Sequence, residues 1–313
     1  MTRVGTIDHL LKWGPTHVNI CLLTLCPAPR REASCVERRP VTSTWPGSAL
    51  ASVRWLVGLG RGPVSTSVAI MEIVTSCDRP DLKCTAEAAF RVKWPEFLFP
   101  HDPVMLQREA LVVEFFPQFD VLMLDGDRVV AGGWGVPIRW DGTMGDLPAG
   151  YDSAMVRAVE GHQSGVEPNT LVYMTVAVVD GETGRGLAAE LLTALRTRGV
   201  EAGLSRVIAP VRPTLKPKYP LTPMASFASW TRADGLSIDP WIRSHQRMGA
   251  AILAPCPGSM LITGSVADWE SWTGMVFPET GSYVVPAALG LVEINVAEDS
   301  GTYSEENLWV QHL

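Results

Sequence analysis

The run Thr170 to Val179 (TLVYMTVAVV) is apolar almost throughout and leads into Asp180-Gly181-Glu182-Thr183-Gly184-Arg185-Gly186-Leu187-Ala188. So continuous a run, rich in β-branched residues, reads as a central strand buried on both faces. Leu187, Leu191, Leu192 and Leu195 then recur on one side of a helix. A buried strand, a glycine loop and an amphipathic helix in that order require a helix packed on a sheet, an α/β arrangement. The glycines let backbone approach an anion closely, and the helix start offers unpaired N–H groups and a positive dipole end. The loop lacks the Lys-Ser/Thr of a Walker A loop and the spacing of a dinucleotide fingerprint. It fits a pyrophosphate, and it equally fits a tight strand-to-helix turn that needs glycine for its backbone alone.

The neighbouring elements extend this pattern. Asp81 to Lys93 and Pro103 to Phe116 read as two helices, each opened by a proline signal and closed before another proline. Asp120 to Leu124 and Arg128 to Val136 flank Asp125-Gly126-Asp127, a hairpin signal. A short helix is expected over Ser153 to Glu160, a strand over Ser205 to Val211, and short helices over Ser226 to Arg232 and Pro240 to Met248. Beyond Leu253, the runs Ser259 to Val266, Tyr283 to Val285 and Gly290 to Val296 read as strands separated by Gly and Pro.

Charge divides the chain. Residues 1–70 hold eight basic and three acidic side chains, a balance of +5 within a net charge of −7, and show no sustained periodicity. They read as an extension ahead of a start at Met71, or as an Arg-rich organelle transit peptide. The resulting division is 1–70, a disordered extension or mis-assigned start; 71–255, the main α/β domain; and 256–313, a β-rich C-terminal extension packed on that domain. The acid-side balance argues against nucleic acid as a partner. The longest apolar run, near Ile20 to Leu25, is too short to span a bilayer, so no membrane partner is expected. Six cysteines without CxxC pairs or zinc spacing argue against a metal centre and fit a reducing cytoplasm.

From the glycine loop onward the chain resembles the GNAT superfamily of acyl-CoA-dependent N-acyltransferases. In that family the buried strand ends in a loop of pattern Arg/Gln-x-x-Gly-x-Gly/Ala, which holds the coenzyme A pyrophosphate through backbone amides. Gly186 and Ala188 fall on its last two defined positions, Gly184 and Arg185 fill the variable ones, and Leu187 continues the helix, whereas Thr183 stands where Arg or Gln is usual. The resemblance implies a mixed, mostly antiparallel sheet flanked by helices, with acetyl-CoA or another acyl-CoA as cosubstrate. It implies that Val178, Thr183, Gly184, Arg185, Gly186, Leu187 and Ala188 meet the cofactor. It further implies that the strands at 170–179 and 205–211 splay to admit the pantetheine arm. The segment His245-Gln246-Arg247-Met248-Gly249-Ala250 is similar to the family's Tyr-x-x-x-Gly-Phe ending, with His245 in the position of the acid that protonates the departing thiolate. A histidine capping or packing at the helix end is the alternative reading of the same residue.

The implied activity is transfer of an acetyl or other short acyl group from acyl-CoA to an amine acceptor. The alternative, suggested by Thr183 and His245, is an inactive GNAT-like module that binds acyl-CoA or a protein partner. A homodimer is compatible with either. For the base that takes the amine proton the suspects are Glu160, with His162 and Asp180 nearby in the chain. Trp134, Trp140, Trp230, Trp241 and Tyr219 are candidate acceptor-pocket aromatics. Arg212, Lys216 and Lys218 form a basic cluster that either meets CoA phosphates or solvates a loop. No Gly-x-Ser-x-Gly elbow is present to support Ser-His-Asp catalysis.

Overall fold

The computed structural model describes residues 54–55, 71–99 and 103–312. The readings made for 1–70 therefore lie outside the described residues, apart from the two-residue strand β1 (Arg54–Trp55). β2 (Met71–Thr75), which the sequence reading passed over, opens the ordered alternation. α1 (Lys83–Arg91) and α2 (Pro103–Phe115) are the two expected helices. β3 (Asp120–Asp125) and β4 (Arg128–Ile138) form the expected hairpin, with Gly126 at φ 62° supplying the left-handed turn residue. α3 (Tyr151–Gln163) is longer than its forecast, and β5 (Thr170–Val178), α4 (Leu187–Glu201) and β6 (Arg206–Val211) lie where they were expected.

α5 (Met224–Ala228) starts earlier than Ser226 because Pro223 sets its first turn. α6 (Pro240–Arg247) has a complete set of end signals: Asp239 accepts from the amides of Trp241 and Ile242 at 2.9 and 3.0 Å, Pro240 follows the cap, and Gly249 turns the chain away at φ 85°. β7 (Ala250–Gly264), α7 (Val266–Thr273), β8 (Gly281–Val284), β9 (Leu291–Asn295) and β10 (Ser300–His312) complete the chain.

The strands make one sheet in the order β1, β2, β3, β4, β5, β6, β10, β9, β8, with β7 on the far edge of β10. Among the described residues, only β5 and β6 pair in parallel. Strand β10 has two neighbours along one edge, β9 at Ser300–Thr302 and β6 at Leu308–His312, while β7 runs along the other. The boundary anticipated at 255/256 falls inside β7, and the C-terminal strand lies between β6 and β7 as an inner part of the sheet. Pro255 and Pro257 made β7 look broken, but a strand paired on one edge only tolerates them, and its register slips there, at Gly258.

Two glycines of β4 show how closely the helices approach. A Cβ at Gly132 would lie 2.4 Å from Phe90 of α1, and one at Gly133 would lie 3.1 Å from Leu191 of α4. Successive strand positions point to opposite faces, so α1 and α4 cover the sheet from its two sides. α3 reaches β4 through Tyr151, whose ring meets Trp134 edge-on. Among the described residues no helix is long and apolar enough to cross a membrane.

Candidate active site

The parallel register of β5 and β6 covers only Thr170 to Val172 against Arg206 to Ile208. Just beyond, β5 bulges. Tyr173 pairs with Gly135 and Thr175 with Trp134, so Met174 is the extra residue. A bulge raises local twist and bends its strand, and here the two parallel strands part. A cavity of about 620 Å³ opens between them, with Tyr173 to Val176 on one wall and Ala209 to Arg212 on the other. Strand amides that diverge from a partner remain available to a ligand.

The glycine loop lies after the free end of β5. Gly181, Gly184 and Gly186 all have φ between 84° and 86°, and a Cβ on any of them would meet nothing within 4 Å. Glycine is therefore demanded there by backbone conformation, not by crowding. Gly186 is the N-cap of α4 and supplies no side chain, so the first-turn amides, including those of Leu187 and Ala188, face outward without a side-chain cap. Glu182 folds the loop by accepting from Arg128 at 2.5 Å and from Arg185. Those two guanidiniums, Arg128 first, hold its carboxyl below the usual range. Arg185 is thus bound to a loop carboxylate, while Thr183 is exposed and Val178 pairs with Ala131 at the end of β5.

His245 lines the cavity, buried to 2% exposure at the end of α6. Its Nδ1 lies 2.9 Å from Nε2 of His312, so one proton is shared between two rings, and Trp241 packs on it at 4.5 Å. Its Nε2 is buried without a hydrogen-bond partner among the described residues. Burial, and then the neighbouring His312, push His245 down to about 3; burial and Arg196 push His312 down to about 4. These surroundings disfavour the imidazolium of His245, the residue expected at the position of the acid.

This pair has a consequence for stability. Both folded values lie below the ordinary 6.5, so protons bind the unfolded chain first as pH drops. The pair's contribution is fully present above about 6.5 and is lost as the pH falls toward 4 and 3. Thermal melts between pH 7 and pH 4 should show the wild type losing melting temperature that a His245→Phe/His312→Leu variant retains. Parallel curves would mean that the pair is not neutral in the native state.

Other expected site residues lie elsewhere. Glu160 does not face the cavity. It sits on the exposed side of α3, 3.7 Å from Arg108, because Ala154, Met155, Ala158 and Val159 form the helix's buried face. His162 stacks on Phe115 at 4.3 Å, and Asp180 is bound by Lys93. Of the aromatic candidates, Trp134 and Trp241 line the cavity; Trp140 is core, and Tyr219 packs on Phe227 and Trp230. Of the basic cluster, Arg212 and Lys216 are committed to the fold, and Lys218 is exposed. Arg212 holds Glu305, and Lys216, buried to 2% exposure, donates to the carbonyls of Tyr219 and Leu289.

Three carboxylates of the cavity went unread in the sequence, Glu109 of α2, Asp152 of α3 and Glu305 of β10. A signal did exist for Glu109. It precedes the buried Val112 and Phe116 by three and seven residues, which places it on the inward stripe of its helix.

An antiparallel run of strands joins a parallel pair that splays at a bulge, and a glycine loop and helix cross between them. This is the mixed, mostly antiparallel sheet with a splayed parallel pair that the GNAT resemblance implies. No protein-family model matches the chain. Over 270 residues it is 27% identical to an arginine N-acetyltransferase, avaD, of Aspergillus versicolor, a match that spans 76% of this chain and 92% of that protein. Among solved structures it is similar to the loading GNATL domain of CurA from Lyngbya majuscula, at TM-score 0.48 and 18% identity over 77% of this chain and 96% of that one. It is also similar to a polyamine N-acetyltransferase of Drosophila melanogaster, at TM-score 0.36 and 15% identity over 78% and 100%.

Proposed function

We propose that this protein transfers an acetyl or other short acyl group from acyl-CoA to an amine. The observation that carries the reading is the bulge at Met174, with strands parting beside it and the glycine loop beyond. Acyl-CoA supplies an activated thioester. The chain supplies positioning: the amides from Gly184 to Ala188 would receive the pyrophosphate, and the β5 backbone around Met174 would face the thioester. The residues fit such a ligand, since the three left-handed glycines leave open space where side chains would otherwise stand. His245 lines the same cavity beside His312 and would face the departing thiolate there, with burial disfavouring its charged form. A relative named for arginine N-acetylation supports a basic amine as the acceptor.

The test is release of free CoA thiol from acetyl-CoA in the presence of a panel of amines, L-arginine, agmatine and simple alkylamines among them, with products identified by mass. Acceptor-dependent thiol release and an acetylated product are the expected results. A protein that binds acetyl-CoA and acylates none of them would instead be a binding module.

A further inference from the structure

Glu109 is the least explained side chain of the cavity. It is 7% exposed, and its Oε2 is buried with no hydrogen-bond partner among the described residues. An ionised carboxylate left so is costly, by far more than a neutral polar group, and native structures rarely keep one without a reason. Burial first, and then the charge of Asp152, push its carboxyl up to about 8. Asp152 comes from α3 and accepts from the amide of Leu261 in β7 at 3.3 Å, so it is anchored from the opposite wall. The other charged groups that line the cavity, Arg212 and Glu305, are paired: Arg212 donates from Nε to both oxygens of Glu305. Tyr173 donates its hydroxyl to the Leu192 carbonyl, and burial disfavours the charged form of His245. Trp94, Trp134 and Tyr151 add aromatic surface to the same cavity.

A carboxylate with an empty oxygen, a second carboxylate beside it and aromatic faces around them match a planar cation. A guanidinium presents paired donors to carboxylate oxygens and stacks on aromatic rings, which a compact ammonium does less well. We infer that Glu109, with Asp152 beside it, is the specificity site of the cavity and receives a guanidinium carried by the acceptor in addition to its reacting amine. The identity of the reacting group rests on the acyltransferase reading; the guanidinium seat is tested by binding alone.

Binding should be proton-linked. At pH 7 the empty site keeps its proton, and an arriving guanidinium displaces it, leaving a carboxylate paired with a cation. Asp152 is the charge that raises Glu109 after burial, and Tyr151, Tyr173, His245 and the paired Arg212 and Glu305 are the other titratable groups lining the cavity.

The experiment is calorimetric titration of agmatine, and of its neutral urea isostere N-carbamoylputrescine, into the full chain, in buffers of different ionisation enthalpy. Agmatine should bind about 100-fold more tightly than the isostere, the scale of a buried charged hydrogen bond. It should release close to one proton at pH 7 and gain affinity as the pH rises toward about 8. Glu109→Gln should remove both the preference and the proton release. Asp152→Asn should move the pH dependence downward, because the charge that raises Glu109 is gone, an effect that loss of structure would not mimic.

Equal binding of the two ligands by the wild type overturns the inference, and so does a Glu109→Gln variant that still prefers agmatine. Glu109-dependent agmatine binding without any acyl transfer would leave the seat standing and remove the acyltransferase reading. Acyl transfer indifferent to the guanidinium would do the reverse.

Discussion

Gly186→Glu should lower the affinity for acetyl-CoA by about 100-fold or more, the scale of losing charged hydrogen bonds to a pyrophosphate. Two effects add. The residue sits at φ 85°, so any side chain strains the backbone, at a cost of about 1–3 kcal/mol. The new carboxylate would also lie at the uncapped start of α4, where it competes for the same amides and places a like charge beside the phosphates. A Cβ there meets nothing within 4 Å, so steric disruption is not part of the effect. Gly186→Ala separates the two: it carries the strain without the charge and should cost much less affinity at a similar loss of melting temperature. Calorimetric titration of acetyl-CoA into both variants reads the difference. If Gly186→Glu bound as the wild type does, the pyrophosphate would not sit on this loop.

What could be read from the sequence was whatever short-range physics encodes. The hairpin at Gly126, the buried strand β5, the leucine stripe of α4 and the Pro240-to-Gly249 limits of α6 each carry their signal within a few residues. The elements that were missed are those whose reason is distant. β10 turns Tyr303, Glu305 and Asn307 to its buried face, and two of these are polar because they join a network that includes Arg212, some ninety residues earlier. A strand with buried polar residues loses the alternation by which strands are recognised. The local signal for α7 is the capping pair Ser265 and Asp268. Glu109 and Glu160 show the same limit at the site: both are helical glutamates, and only the helix's docking decides that Glu109 enters the cavity while Glu160 meets Arg108 outside it.

The polar network behind β10 should also be the most sensitive point for stability. Arg212→Met is expected to cost about 3–5 kcal/mol, because it removes one partner of a buried ion pair and leaves the other charged. Glu305 is 0% exposed and receives Arg212 Nε at 3.1 and 2.9 Å, the Asn307 amide at 3.0 Å and the Tyr303 hydroxyl at 3.2 Å. Arg212 also donates to the Ala287 carbonyl at 2.7 Å, so one side chain ties the end of β6 to β10 and to the loop before β9. For a chain of this size the melting temperature should fall by about 10 °C. Glu305→Gln in the same background should restore much of the loss, since a neutral amide no longer demands a counter-charge. Thermal melts of the wild type, both single variants and the double variant form the cycle that measures the coupling. Additive losses would mean that the two side chains do not act as a pair, and that the parted strands β5 and β6 are braced by hydrophobic packing alone.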